Sequence, residues 1–152
     1  MKQRLIDAYM KTAETFAELS HARLLHVGAI VVKDDRIISI GYNGMPAGWD
    51  NNCEDEIGHV LDVDENIVEI RLKTKPEVLH AETNAIAKLA KSNESGMGAT
   101  MFITHAPCLD CAKLIYQSGI GSVFYRDNYR STDGVEFLKK SGIEVEQLKE
   151  II

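Results

Sequence analysis

The chain has 152 residues, 45% hydrophobic and 26% charged, with 17 Lys and Arg against 23 Asp and Glu and a formal net charge of −6. That length suits one domain with its own core, expected to span residues 1–152. An acidic chain with no basic stripe excludes polymeric nucleic acid as a partner, since binding a phosphate backbone relies on Lys and Arg.

In chain order, residues 3–19 place Leu5, Tyr9, Thr12, Ala13, Phe16 and Ala17 near one face, the spacing of an amphipathic helix. Val27–Val32 and Ile37–Ile40 are short β-branched runs around Lys33-Asp34-Asp35-Arg36, which predicts a hairpin. Residues 41–79 are expected to be the least regular part, because Gly41, Gly44, Pro46, Gly48 and Asn51-Asn52 oppose regular structure at its start. Periodicity leaves open whether Val60–Lys73 holds a short strand or a helix. Beyond it the pattern predicts a helix at Ala81–Lys91, a strand at Thr100–Thr104, a helix at Leu109–Gln117 and a strand at Gly121–Tyr125. A helix at Val135–Lys140 and a final strand or extended tail at Ile143–Leu148 complete it. Such alternation predicts an α/β sandwich around one sheet.

No apolar run reaches the roughly 18–20 residues needed to cross a bilayer, and Met1–Asp7 has no apolar signal core. A cytoplasmic location is therefore expected (the host cytosol, if the source is viral), with no membrane partner. Three cysteines cannot all pair, and Cys108 and Cys111 are better explained as metal ligands in a reducing compartment, which leaves Cys53 over.

Two short motifs carry the chemistry. His80-Ala81-Glu82 and Pro107-Cys108-Leu109-Asp110-Cys111 each stand at the start of an expected helix. One imidazole and two thiolates suit Zn²⁺, and three protein ligands leave a tetrahedral position open for water, the mark of a catalytic site. His80, Cys108 and Cys111 are thus the expected ligands of one zinc ion, and Glu82 is a carboxylate left free for acid–base work. Helix starts favour both an ionised carboxylate and thiolates. Bound zinc brings the pKa of its water toward about 7, so that hydroxide forms at neutral pH and Glu82 can shuttle the proton. The H-x-E…P-C-x-x-C pattern is that of zinc nucleobase deaminases.

With those residues in place, the chain resembles the deoxycytidylate (dCMP) deaminases of the cytidine deaminase superfamily. The resemblance covers Val27–Val32, Gly41-Tyr42-Asn43-Gly44-Met45-Pro46, His80–Ile86, Pro107–Cys111 and Gly119–Tyr125. The zinc motifs point to the superfamily, and Gly-Tyr-Asn-Gly followed by Pro narrows it to the dCMP branch. The resemblance implies a three-layer α-β-α fold with a central mixed sheet of about five strands, and hydrolysis of dCMP to dUMP and ammonia. It also implies a homohexamer with a nucleoside triphosphate effector, dCTP activating and dTTP inhibiting, with Mg²⁺ accompanying the triphosphate. Asn43 would contact the sugar or base and the Ala81 backbone the base, while Ser20, Arg23 and Tyr129 are suggested for the 5′-phosphate. Gly41, Tyr42, Asn43 and Gly44 would belong to the effector site, since glycines let a backbone approach a ligand closely. Cys53, His59, His21 and His26 are not expected to assemble a second metal site.

Plainer readings stand beside these. Gly41–Gly44 could simply close the hairpin, and His21 and Arg23 could cap the preceding helix. Cys53 suits a small buried apolar group and His59 a surface loop. His105 could line the site or make a structural hydrogen bond. Trp49 suits ordinary packing, Tyr125, Tyr129 and Arg130 stand where lids would sit, and Glu144–Glu150 suits a solvated face. Competing functions are a tRNA adenosine deaminase, another superfamily deaminase, and a non-catalytic zinc module that senses nucleotides. The acidic balance argues against the first, and a free Glu82 argues against the last.

Overall fold

The computed structural model describes residues 1–150, so the last two residues of the expected domain lie outside the described residues. Its elements are α1 (Gln3–Ala17), β1 (Gly28–Lys33), β2 (Arg36–Tyr42), β3 (Glu54–Leu61), β4 (Ile67–Thr74), α2 (Ala81–Ala90), β5 (Thr100–His105), α3 (Leu109–Gln117), β6 (Ser122–Asp127), α4 (Asp133–Lys140) and β7 (Glu144–Gln147). Five strands form the central sheet in the order β2-β1-β5-β6-β7. β1 runs antiparallel to β2 and β5, whereas β5, β6 and β7 are parallel, which makes the sheet mixed.

Period-2 alternation along β1 sorts its side chains between two cores. Ile30 and Val32 join Phe102 under α1, whose Ile6, Met10 and Ala13 supply the stripe the sequence predicts. Ala29 and Val31 join Met101 and Ile103 under α2, α3 and α4, which contribute Ala85, Leu89, Ile115 and Leu138. The result is the expected three-layer α-β-α sandwich. Asp34 and Asp35 turn the β1–β2 hairpin with φ of 51° and 56°, the left-handed pair that a two-residue connection requires.

Two glycines let helices sit hard against the sheet. A Cβ at Gly28 would lie 2.0 Å from the Ala13 carbonyl oxygen of α1, and one at Gly41 would lie 2.2 Å from the Ala81 carbonyl oxygen of α2. Gly41 is therefore a strand residue under the first turn of α2 rather than part of a loop.

The main departure from the sequence expectation is within 41–79. β3 and β4 pair antiparallel from Glu54–Thr74 to Leu61–Ile67 and form a separate two-stranded arm. Register shifts at Glu56/Gly58 and Val60/Leu61 break the alternation, which is why periodicity could not settle Val60–Lys73. The arm leaves Val68 and Ile70 exposed. No helix of the described residues is long and apolar enough to cross a membrane.

Candidate active site

Because β1 is antiparallel to both β2 and β5, and β6 is parallel to β5, the C-terminal ends of β2, β5 and β6 share one edge of the sheet. The chain leaves β2 at Tyr42, β5 at His105 and β6 at Asp127, and the next residues wall a single cavity of about 500 Å³. Crevices at such strand ends are the usual ligand sites of α/β sheets.

His80 is the N-cap of α2 and Cys108 the N-cap of α3. Packing of both helices on one face of the sheet brings these two starts together. His80 Nδ1 lies 3.3 Å from Cys111 Sγ and 3.7 Å from Cys108 Sγ, and all three donor atoms fall within 4.8 Å of one another. Tetrahedral zinc with ordinary Zn–N and Zn–S bonds sets its nitrogen and sulfur ligands about 3.5 Å apart. The nest fits the ion in donor type, count and spacing.

Its electrostatics point the same way. The Cys108 thiol is held down to about 4, first by a hydrogen bond from the Cys111 thiol and then by His80. Cys111 is driven up because it gives that proton to Cys108 and is buried. His80 is raised, chiefly through its hydrogen bond with Cys108. The Cys111 backbone N–H adds a contact to Cys108 Sγ at 3.5 Å. Thiols and an imidazole set this close together suit a divalent cation, which binds thiolates and a neutral imidazole.

Glu82 stands in the first turn of α2, 4% exposed, and lines the cavity. Burial pushes its carboxyl above the usual range, against the pull of its own backbone N–H and of His80. A carboxyl that holds a proton more readily than usual is suited to passing it on.

Of the other expected site residues, Asn43, Ala81 and Tyr129 line the cavity, whereas Ser20 and Arg23 do not. The Ser20 hydroxyl accepts the Ala22 N–H. The Arg23 guanidinium donates to Asn52 Oδ1 at 3.1 Å and lies 3.7 Å from Glu54 and 3.9 Å from Glu56. Both ends of the Asn43 amide are engaged, with Oδ1 accepting the Val27 N–H at 2.9 Å and Nδ2 donating to the Leu25 carbonyl at 2.8 Å. Gly44 exchanges backbone hydrogen bonds with Leu79 and so fixes the entry to His80. Tyr42 closes β2 opposite Gly28.

Sequence reasoning left unassigned several cavity residues. Glu54 at the root of β3, Thr74 at the end of β4, Asp127 at the end of β6 and Asn128 just after it all line the cavity. Arg130, suspected only as part of a lid, lines it too, with its guanidinium carbon 5.4 Å from the centroid of the Tyr129 ring. His105 both lines the cavity and makes a hydrogen bond, between Nδ1 and Thr104 Oγ1 at 3.0 Å, while its Nε2 lies 3.6 Å from Asp127 Oδ2. Burial holds its imidazole below the usual range, with Asp127 opposing. Cys53 is fully buried against Ala22 and Val78.

An imidazole and two thiols converging beside a sequestered carboxyl form a group that could hold a metal ion. Residues 3–126 match the family model described as the cytidine and deoxycytidylate deaminase zinc-binding region. The deoxycytidylate deaminase of Enterobacteria phage T4 is 37% identical over 149 residues, covering 78% of this chain and 77% of the relative. The human deoxycytidylate deaminase is 39% identical over 130 residues, covering 84% and 67%. The crystal structure of the dCMP deaminase from cyanophage S-TIM5 in complex with dCMP and dUMP superposes with a TM-score of 0.84 at 46% identity, covering 97% of this chain and 99% of that one. The chain belongs to the cytidine and deoxycytidylate deaminase family, as its motifs indicate.

Proposed function

We propose that this chain is a dCMP deaminase, in which residues 1–152 act as a single domain that hydrolyses dCMP to dUMP and ammonia. The observation that carries the reading is one cavity lined together by His80 and Cys108 of the His80–Cys108–Cys111 nest, by the buried Glu82 and by Arg130. Its volume of about 500 Å³ lies within the range of small-molecule sites.

His80, Cys108 and Cys111 would hold one zinc ion, which when bound supplies Lewis acidity and eases deprotonation of water. Glu82 takes a proton from the attacking water and delivers it to N3 of the pyrimidine. With the water oxygen bonded to C4, it takes the remaining proton of that hydroxyl and carries it to the amino nitrogen, so that the C4–N bond breaks, the C4 carbonyl forms and ammonia leaves. Burial of Glu82 in the α2 first turn keeps this proton traffic away from bulk solvent. The Ala81 backbone, at the same helix start, and Asn43 stand where they can orient base and sugar.

Arg130 is the one Lys or Arg that lines the cavity, and among the described residues it has no carboxylate partner. It is therefore the cation available to a 5′-phosphate, with Tyr129 beneath it. Three free cysteines suit a reducing cytoplasm. Hexameric assembly and control by dCTP and dTTP with Mg²⁺ follow from the family resemblance, with Gly41–Gly44 as the effector segment.

The test measures ammonia release from dCMP, deoxycytidine, cytidine and a tRNA anticodon stem, alongside the zinc content. Turnover of dCMP far above the others, with one zinc per chain, is expected. Preference for the anticodon stem or a free nucleoside would overturn the reading. Turnover that ignores added dCTP and dTTP would remove the regulatory part alone.

A further inference from the structure

Of the carboxylates on the cavity wall, Glu82 carries the proton and Asp127 faces His105, while Glu54 has no part in the chemistry above. Glu54 is 1% exposed, although the next two strand residues, Asp55 and Glu56, lie open to solvent. Burying a carboxylate is costly unless its oxygens are satisfied. Here they are: the Arg23 N–H donates to Oε1 at 3.1 Å and to Oε2 at 2.9 Å, and the Leu24 N–H donates to Oε2 at 3.1 Å. The Arg23 guanidinium closes the pair with its Nε 3.7 Å from Oε1.

What Glu54 grips is the connection between α1 and β1. That segment has no helix or strand, yet Ala22, Leu25 and Val27 from it form one side of the cavity. Asn43 fixes its far end at Leu25 and Val27. Glu54, reaching across from the root of the arm, fixes its near end at residues 23 and 24.

We infer that Glu54 is a positioning residue for nucleotide binding: it holds the Ala22–Val27 wall at the separation from Glu82 that a bound mononucleotide needs. The inference rests on the reading of this cavity as the substrate site. Glu54 acts through the wall and not on the substrate, because both its oxygens are engaged by peptide N–H groups and only 1% of the residue is exposed. A wall held in place before binding removes an ordering cost that would otherwise be met on association. Loss of the grip should therefore raise KM and leave the proton chemistry of Glu82 as it was.

Glu54→Gln tests this with little change of shape, since one of its two oxygens becomes an amide that cannot accept a peptide N–H. KM for dCMP is expected to rise about 10-fold with kcat per bound zinc within about twofold of wild type. Zinc content should not change, and Glu54→Asp should fall between the two. A carboxylate that merely stabilised the fold would lower the melting temperature and leave KM unmoved; that result, or a fall in kcat alone, would overturn the inference. Calorimetric titration with dCMP separates this from the assigned reaction. Wild type that binds dCMP without deaminating it would sink the reaction alone, whereas equal Kd for wild type and Glu54→Gln would sink the role of Glu54. Wild type that does neither would sink both.

Discussion

The cavity has two unlike walls. One is made of helix starts, with His80, Ala81 and Glu82 opening α2 and Cys108 opening α3, both helices seated on the main core. The other is made of connections and strand ends: Ala22, Leu25 and Val27 between α1 and β1, Glu54 and Thr74 at the outer ends of the arm's strands β3 and β4, and Tyr129 and Arg130 after β6. Under the proposed function, the difference separates chemistry from recognition. Groups that must keep their spacing through turnover are rooted in packed secondary structure, whereas groups that meet the variable part of a ligand sit on loops tied by hydrogen bonds. Substitutions in the first wall should lower kcat, and substitutions in the second should raise KM.

Removal of the metal should have the largest effect. Dialysis against a chelator is expected to abolish dCMP turnover and lower the melting temperature, with both restored by Zn²⁺, because binding of the ion by the closely set His80, Cys108 and Cys111 stabilises the folded chain. Full activity of the stripped protein would break the assignment of the nest. Next, Glu82→Gln should retain zinc and lose about 10³-fold in kcat with little change in KM. A rise in KM with kcat intact would place Glu82 with recognition and erase the contrast between the walls. Arg130→Ala is the counterpart: about a 30-fold loss in kcat/KM for dCMP, carried by KM, from the loss of one charge-assisted contact. Its weak activity on deoxycytidine, which lacks the phosphate, should not move. An equal loss on both would mean that Arg130 supports the loop rather than the phosphate.

The two walls were not equally legible in the sequence. The first was, because its ligands lie in two short motifs and each motif opens a helix whose periodicity is plain, so the local pattern already contains the local geometry. The second is assembled by tertiary contacts between solitary residues. Glu54 follows Cys53 in a stretch where bulges at Glu56/Gly58 and Val60/Leu61 interrupt alternation, and no spacing marks it as the partner of Arg23. Arg23 and Arg130 look alike along the chain, but the fold gives the first to Glu54, Glu56 and Asn52 and opens the second to the cavity. The central sheet was legible for the same reason as the first wall, its strands being β-branched runs bounded by clear breaks. Gly41 shows the limit of that local view, for its absent side chain matters only because Ala81 lies 2.2 Å from where a Cβ would be.

Gly41→Ala probes whether the chemical wall depends on the core beneath it. The new methyl would meet the backbone of the α2 first turn, which cannot yield as a flexible side chain can, so a loss of about 2–3 kcal/mol in stability is expected from chemical denaturation. Because that turn carries His80 and Glu82, kcat should fall as well, in protein that is still folded.

The smallest effect expected is at His105, where the two walls meet. Its ring lies between Thr104 and Asp127, with a carboxylate on one side and the Arg126–Glu14 ion pair on the neighbouring surface. Burial outweighs Asp127 and holds the folded-state pKa below the unfolded value of about 6.5. Between those two values the unfolded chain binds more protons, so stability rises with pH through that window and is fully present above the unfolded value. As pH falls below about 6.5 the contribution of the neutral ring is lost progressively, down to the folded pKa. Melting temperatures of wild type and His105→Asn should therefore converge or cross as pH drops from 7 toward 5, with the steeper slope in wild type. Parallel curves would mean that Asp127 compensates burial fully and that the junction between the walls carries no proton-linked strain.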